Sequence, residues 1–136
     1  MTKLPRSGPV PRPSSPDEGR EVLRAEAIPA PNAQRVVLRA LEFTSLCPRT
    51  GQPDFGRVTI DYQPANLCLE SKALKFYLWS FRDTGEFCES IAARIADDVM
   101  FAIEPEGLRV DVKQNTRGGI EIVATALRGS WSQETD

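Results

Sequence analysis

Three patterns in the sequence predict an α+β fold with an antiparallel sheet and its helices on one face. Apolar residues alternate with polar ones over 34–46 and 57–62, recur at helical spacing over 71–82 and 85–103, and alternate again over 108–112 and 120–122. The predicted order is β-β-α-α-β-β, in one domain with no internal repeat.

In the first strand Val37, Leu41 and Phe43 stand on alternating sites. Residues 47–55 hold Pro48, Gly51 and Pro53 and predict a loop, after which Val58, Ile60 and Tyr62 line one face of a returning strand. Leu74, Tyr77, Leu78 and Phe81 form the stripe of the first helix. Asp83 followed by Glu86 resembles a capping box that opens the second helix near Gly85. Phe87, Ile91, Ile95, Val99 and Ile103 mark its buried side, and Pro105 and Gly107 end it. Leu108, Val110 and Val112, then Ile120 and Ile122, flank a turn over 115–119. Residues 33–128 are thus the expected domain. Residues 1–32 hold seven of the eleven prolines and predict a flexible, proline-rich arm with little regular structure beyond a helical turn near 18–27. Residues 129–136 predict a polar tail, frayed from Arg128.

Composition narrows function. Of 136 residues 17 are Lys or Arg and 19 Asp or Glu, a net charge of −2 that argues against direct binding to nucleic acid. No apolar run reaches the roughly 20 residues of a membrane helix. There is no histidine, which excludes Ser-His-Asp hydrolysis and His general bases. Three cysteines, Cys47, Cys68 and Cys88, suit neither a disulfide framework nor a zinc site, and predict a reducing cytoplasm and no metal.

Four segments have residues able to carry chemistry. Cys47 ends a strand, and a Pro-bracketed loop brings the chain back to Asp54; the pair reads as a nucleophile with a proton donor, or as a buried thiol with a turn acid. Lys72 and Lys75 share a helix face, to hold phosphates or merely to meet solvent. Glu89 sits in the first turn of a helix, where the dipole favours a carboxylate; the same carboxylate can accept two N–H bonds from a heterocycle. Arg117-Gly118-Gly119 suits an anion or a hairpin turn.

Together these segments resemble the 7-cyano-7-deazaguanine reductase family, in its short single-module branch, from about Leu41 to Ile120. Glu42-Phe43-Thr44-Ser45-Leu46-Cys47-Pro48 with Thr50-Gly51-Gln52-Pro53-Asp54-Phe55 is similar to the family's nucleophile loop. Glu70-Ser71-Lys72 with Lys75 and Tyr77 is similar to its signature motif, and Ser80-Phe81-Arg82 and Arg117-Gly118-Gly119 also fit. The resemblance implies the tunnelling fold, with rings closing into a barrel, two pentamers stacked as a decamer, and active sites between subunits. It implies NADPH-dependent reduction of the nitrile of 7-cyano-7-deazaguanine to an aminomethyl group in queuosine biosynthesis, a tRNA-modification pathway. Cys47 would form a covalent thioimide and Asp54 would supply protons. Leu69, Glu70, Ser71, Cys88 and Glu89 would bind substrate, and Lys72, Lys75 and Arg117 the NADPH phosphates. One position departs: Cys88 stands where the family has His, replacing a group that donates, accepts and carries charge by a weak hydrogen-bond partner. That departure keeps two alternatives open, a thioimide-forming amidinotransferase-like paralogue and a catalytically silent deazapurine-binding module.

Overall fold

The structure, a computed structural model, describes residues 3–131. The elements run α1 (Pro16–Ala25), β1 (Ile28–Pro29), β2 (Val36–Leu46), β3 (Pro53–Gln63), β4 (Leu67–Cys68), α2 (Ser71–Trp79), α3 (Cys88–Ile103), β5 (Gly107–Arg117) and β6 (Ile120–Gly129). The long strands form an open antiparallel sheet in the order β2-β3-β5-β6, and β1 and β4 pair as a small second sheet. The expected β-β-α-α-β-β unit is therefore present as β2-β3-α2-α3-β5-β6. Val58, Ile60 and Tyr62 of β3 and Leu108, Val110 and Val112 of β5 are buried with Ile91, Ile95 and Val99 of α3, which places the core between the sheet and the helices. No helix among the described residues is long and apolar enough to cross a membrane.

The structure corrects the sequence reading at several places. The helical turn expected near 18–27 is a full ten-residue helix, α1, opened by Ser15 and Pro16 and packed into the core through the fully buried Val22 and Leu23, so the arm has more regular structure than expected. In β2, Leu41 is exposed although it alternates with the buried Phe43, because the β2–β3 register shifts between Ala40 and Phe43. Pro53, Asp54 and Phe55 belong to β3, so the loop is only 47–52. α2 stops at Trp79, and Ser80, Phe81 and Arg82 each donate backbone N–H to the carbonyl three residues back, a tightened last turn. α3 opens at Cys88, not near Gly85, because Leu46 N donates to Thr84 O (3.0 Å) and Glu86 N to Leu46 O (3.3 Å). That backbone is extended alongside β2 and cannot also be helical.

At the C-terminus Arg128 and Gly129 continue β6, and Arg128 Nε donates to Asp97 (2.8 Å). The rest of the expected tail, 132–136, lies outside the described residues.

Candidate active site

One end of the sheet gathers polar residues on the face that is otherwise apolar. Along β3 the buried positions run Tyr62, Ile60, Val58, Gly56, Asp54; along β5 they run Leu108, Val110, Val112, Gln114; and β2 ends with Phe43 and then Ser45. The strand register sets Ser45 opposite Asp54 and Gly56 opposite Gln114, so all three polar side chains arrive at the same edge of the core. Gly56 is required for this approach: a Cβ there would stand 2.3 Å from the Lys113 carbonyl oxygen.

Asp54 is 3% exposed, yet both carboxylate oxygens have partners. Gln114 Nε2 donates to Oδ2 (2.9 Å), Arg117 Nη1 donates to Oδ1, and Arg117 Nη2 donates in turn to Gln114 Oε1 (3.3 Å). Arg117 reaches this position because β5 shifts register between Gln114 and Arg117 just before a turn whose two residues, Gly118 and Gly119, have φ of 57° and 77°.

Cys47 is half-buried at the start of the 47–52 loop. Cys47 N donates to Gln52 O and Gly51 N to Cys47 O, both 2.9 Å, with Gly51 at a φ of 71°. The loop thereby turns its donors onto the sulfur. The Cys47 thiol is pulled down to about 7, first by the Thr50 hydroxyl, then by backbone N–H groups of Thr50 and Arg49, with a smaller contribution from Arg117. Near neutrality much of it is thiolate, the nucleophilic form. Arg117 therefore touches both the sulfur and the buried carboxylate.

Cys88, the first residue of α3, is buried and donates its S–H to Val112 O (3.4 Å). Burial first, then the Glu89 charge, pushes its pKa up, so it remains a neutral thiol. It lines a tight cleft of about 10 Å³ with Ser45, Asp54 and Gln114. Glu89, next to it, is exposed.

The remaining candidates lie on α2. Leu69 is buried and its N–H donates to the Tyr62 hydroxyl (3.0 Å). The Glu70 carboxylate caps α2 by accepting from Ala73 N (2.8 Å). Ser71, Lys72 and Lys75 are exposed, and Ser71 and Lys75 line a groove of about 760 Å³ between α2 and β2. Within one chain, none of the cavities described here is lined by both this α2 group and Cys47 or Asp54. The structure thus brings together Cys47, Asp54, Arg117 and Cys88, whereas Ser71 and Lys75 line a different cavity.

Sequence reasoning missed Thr50, Gln114, Ser45 and Gly56. Gln114 and Ser45 carried a signal: each is a polar residue extending an apolar stripe on a buried strand face. Thr50 carried none, since its effect depends on how the loop folds.

Residues 53–132 match the family model of the QueF-like proteins. A protein of Nitrosomonas europaea named NADPH-dependent 7-cyano-7-deazaguanine reductase is 45% identical over 102 residues, covering 74% of this chain and 73% of its own. A protein of the same name from Nitrosospira multiformis is 42% identical over 125 residues, covering 88% and 86%. The crystal structure of the apo archaeosine synthase QueF-Like aligns with a TM-score of 0.69 at 25% identity, over 74% of this chain and 99% of its own. By the family model and by these identities over most of its length, the chain belongs to the QueF-like family.

Proposed function

We propose that this protein reduces the nitrile of 7-cyano-7-deazaguanine to the aminomethyl group with NADPH, in queuosine biosynthesis. The observation that carries the reading is Arg117 joining a thiol that ionises near neutrality to a buried carboxylate. A nitrile carbon needs a soft nucleophile, and its nitrogen needs a proton as the carbon is attacked. Cys47 adds to the nitrile carbon; the thiol proton passes to Asp54, which returns it to the nitrile nitrogen, leaving a thioimide on sulfur. NADPH, when bound, supplies hydride, two equivalents for the four electrons of the whole reduction. Release of the carbon as an imine restores the Cys47 thiolate. Arg117 holds Asp54 in place throughout, and Cys88, as a neutral thiol, helps position the substrate that Glu89 and the 69–71 segment grip.

The α2 face fits a dinucleotide. Lys72 and Lys75 present two cations, and the adjoining groove has an apolar lining of Leu74, Leu78 and Trp79. Within one chain Ser71 and Lys75 line a different cavity from Asp54 and Cys88, and the complete site forms between subunits. The free edges of the sheet, β2 and β6, are where further copies would join into a ring. Exposed Leu41 on β2 and Ile120, Val123 and Leu127 on β6 suit that junction. We take the assembly as two stacked pentamers in the cytoplasm, with 33–128 as the reductase domain. α1 packs onto it from the 1–32 arm.

Likeness to an archaeosine synthase supports a second reading, transfer of the thioimide carbon to an amine. The reductase relatives are much closer, at 42–45% identity against 25%. The test is NADPH oxidation with 7-cyano-7-deazaguanine, with masses of product and protein read in parallel. Two NADPH per aminomethyl product establishes the reductase. An adduct on Cys47 without NADPH consumption would favour the transferase, and binding with neither would leave a silent deazapurine-binding module.

A further inference from the structure

The exposed side of α2 carries three adjoining cavities. The groove against β2, about 760 Å³, shares Lys75 and Trp79 with a second cavity of about 270 Å³. That one shares Leu4 and Lys72 with a third, about 230 Å³, formed where the N-terminal arm crosses the start of α2. Leu4 joins the buried apolar cluster and is 9% exposed, so it anchors the arm there. Its neighbours Lys3 and Arg6 line the third cavity together with Lys72.

Positive charge predominates along this path. Among the described residues Lys3, Arg6, Lys72 and Lys75 make no ion pair. Two carboxylates, Glu26 and Glu70, line the third cavity beside three cations, and Glu70 is turned to the N-terminus of α2, which it caps. The sequence of surfaces is an apolar groove, then a pair of lysines, then a basic end-pocket. A dinucleotide with a phosphate on its far ribose has the same order: rings, pyrophosphate, terminal phosphate.

We propose that Lys3 and Arg6, pinned by Leu4, complete with Lys72 a site for the 2′-phosphate of NADPH, making the N-terminal arm the element that selects NADPH over NADH. This rests on the reading of α2 as the cofactor's phosphate surface. Lys75 and Lys72 meet the pyrophosphate that both cofactors share, and the arm meets the one group that distinguishes them.

The test is calorimetric titration of the full-length protein with NADPH and with NADH, for the native chain and for two double variants. In Lys3→Ala/Arg6→Ala, which keeps Leu4, NADPH affinity is expected to fall about tenfold, the scale of two exposed charge-assisted contacts, with NADH affinity unchanged. In Lys72→Ala/Lys75→Ala both affinities should fall. An arm variant that binds NADPH like the native chain, or loses NADH equally, overturns the proposal while the α2 reading stands. An α2 variant that binds both cofactors normally, or a native chain that binds neither, overturns that reading and this proposal with it.

Discussion

Arg117, exposed on one side at the end of β5, donates to the carboxylate of Asp54, a residue 63 positions earlier that is almost completely buried. The pair connects the two halves of the fold at the point where the reactive thiol sits. Replacing Arg117 by Ala leaves Asp54 with Gln114 alone and removes a cation from beside Cys47. Turnover is expected to fall about 10–100-fold, as for loss of a group that organises proton transfer. The midpoint of Cys47 ionisation should rise in the same variant. Steady-state kinetics with a pH profile of thiol alkylation reads both, and unchanged values in both would remove Arg117 from the site.

Alkylation of Cys47 should depend steeply on pH around neutrality. The reactive form is the thiolate, which the fold favours, so the rate is high above about pH 7 and is lost as pH falls through it. Thr50→Val removes the largest favourable contact and should move the midpoint upward. Cys68 and Cys88 are buried and should label slowly, which peptide mass spectrometry after timed iodoacetamide treatment will separate.

Gly56→Ala tests the close approach of β3 to β5. The new methyl would meet the Lys113 carbonyl oxygen, a backbone atom that cannot swing aside. A loss of about 3 kcal/mol in urea unfolding is expected, at the upper end of overpacking costs. An unchanged midpoint would mean that the strands part easily, and that Gly56 does not fix the position of Asp54.

Cys88→His introduces an imidazole where this chain has a thiol held neutral by burial. Turnover should rise, because imidazole can donate, accept and carry charge beside Glu89. The cleft there is small, so thermal stability should fall in the same variant. A drop in turnover would argue that the surrounding packing has adapted to the thiol.

Asp98 ties the helices together. It accepts from Tyr77 Oη of α2 (2.6 Å) and Arg94 Nε of α3 (2.9 Å), with Arg20 Nε of α1 3.5 Å away as a charge contact. The carboxylate also pushes the buried Tyr77 hydroxyl up, after burial itself. Asp98→Ala removes the acceptor of the buried Tyr77 hydroxyl and the partner of two part-exposed arginines and should cost about 2 kcal/mol, whereas Tyr77→Phe should cost about 1 kcal/mol. Chemical denaturation of the single and double variants checks the coupling; equal costs would show that the charge contacts to Arg20 and Arg94 add nothing.

Alternation and helical spacing are local properties, and they were enough to place the six main elements. They could not place element ends. The Asp83–Glu86 spacing fits a capping box, but Leu46, far back in the chain, holds 84–86 extended, and no local pattern carries that information. Leu41 failed for a similar reason: a single register shift turns a strand residue to the opposite face. In α1 two buried aliphatic residues, Val22 and Leu23, gave a weak stripe behind the four prolines that precede the helix.

The site divides in the same way. The sequence by itself singled out the candidate residues, because a thiol, a carboxylate, paired lysines and a glycine turn are recognisable as residue types in order. Only the tertiary structure decided how they act. It set Arg117 onto Asp54, wrapped Thr50 around Cys47, buried Cys88 as a neutral thiol, and placed Ser71 and Lys75 in a different cavity from Asp54. Ionisation and hydrogen bonding depend on distances of a few ångströms between residues distant in the chain, and such distances exist only once the strands have paired.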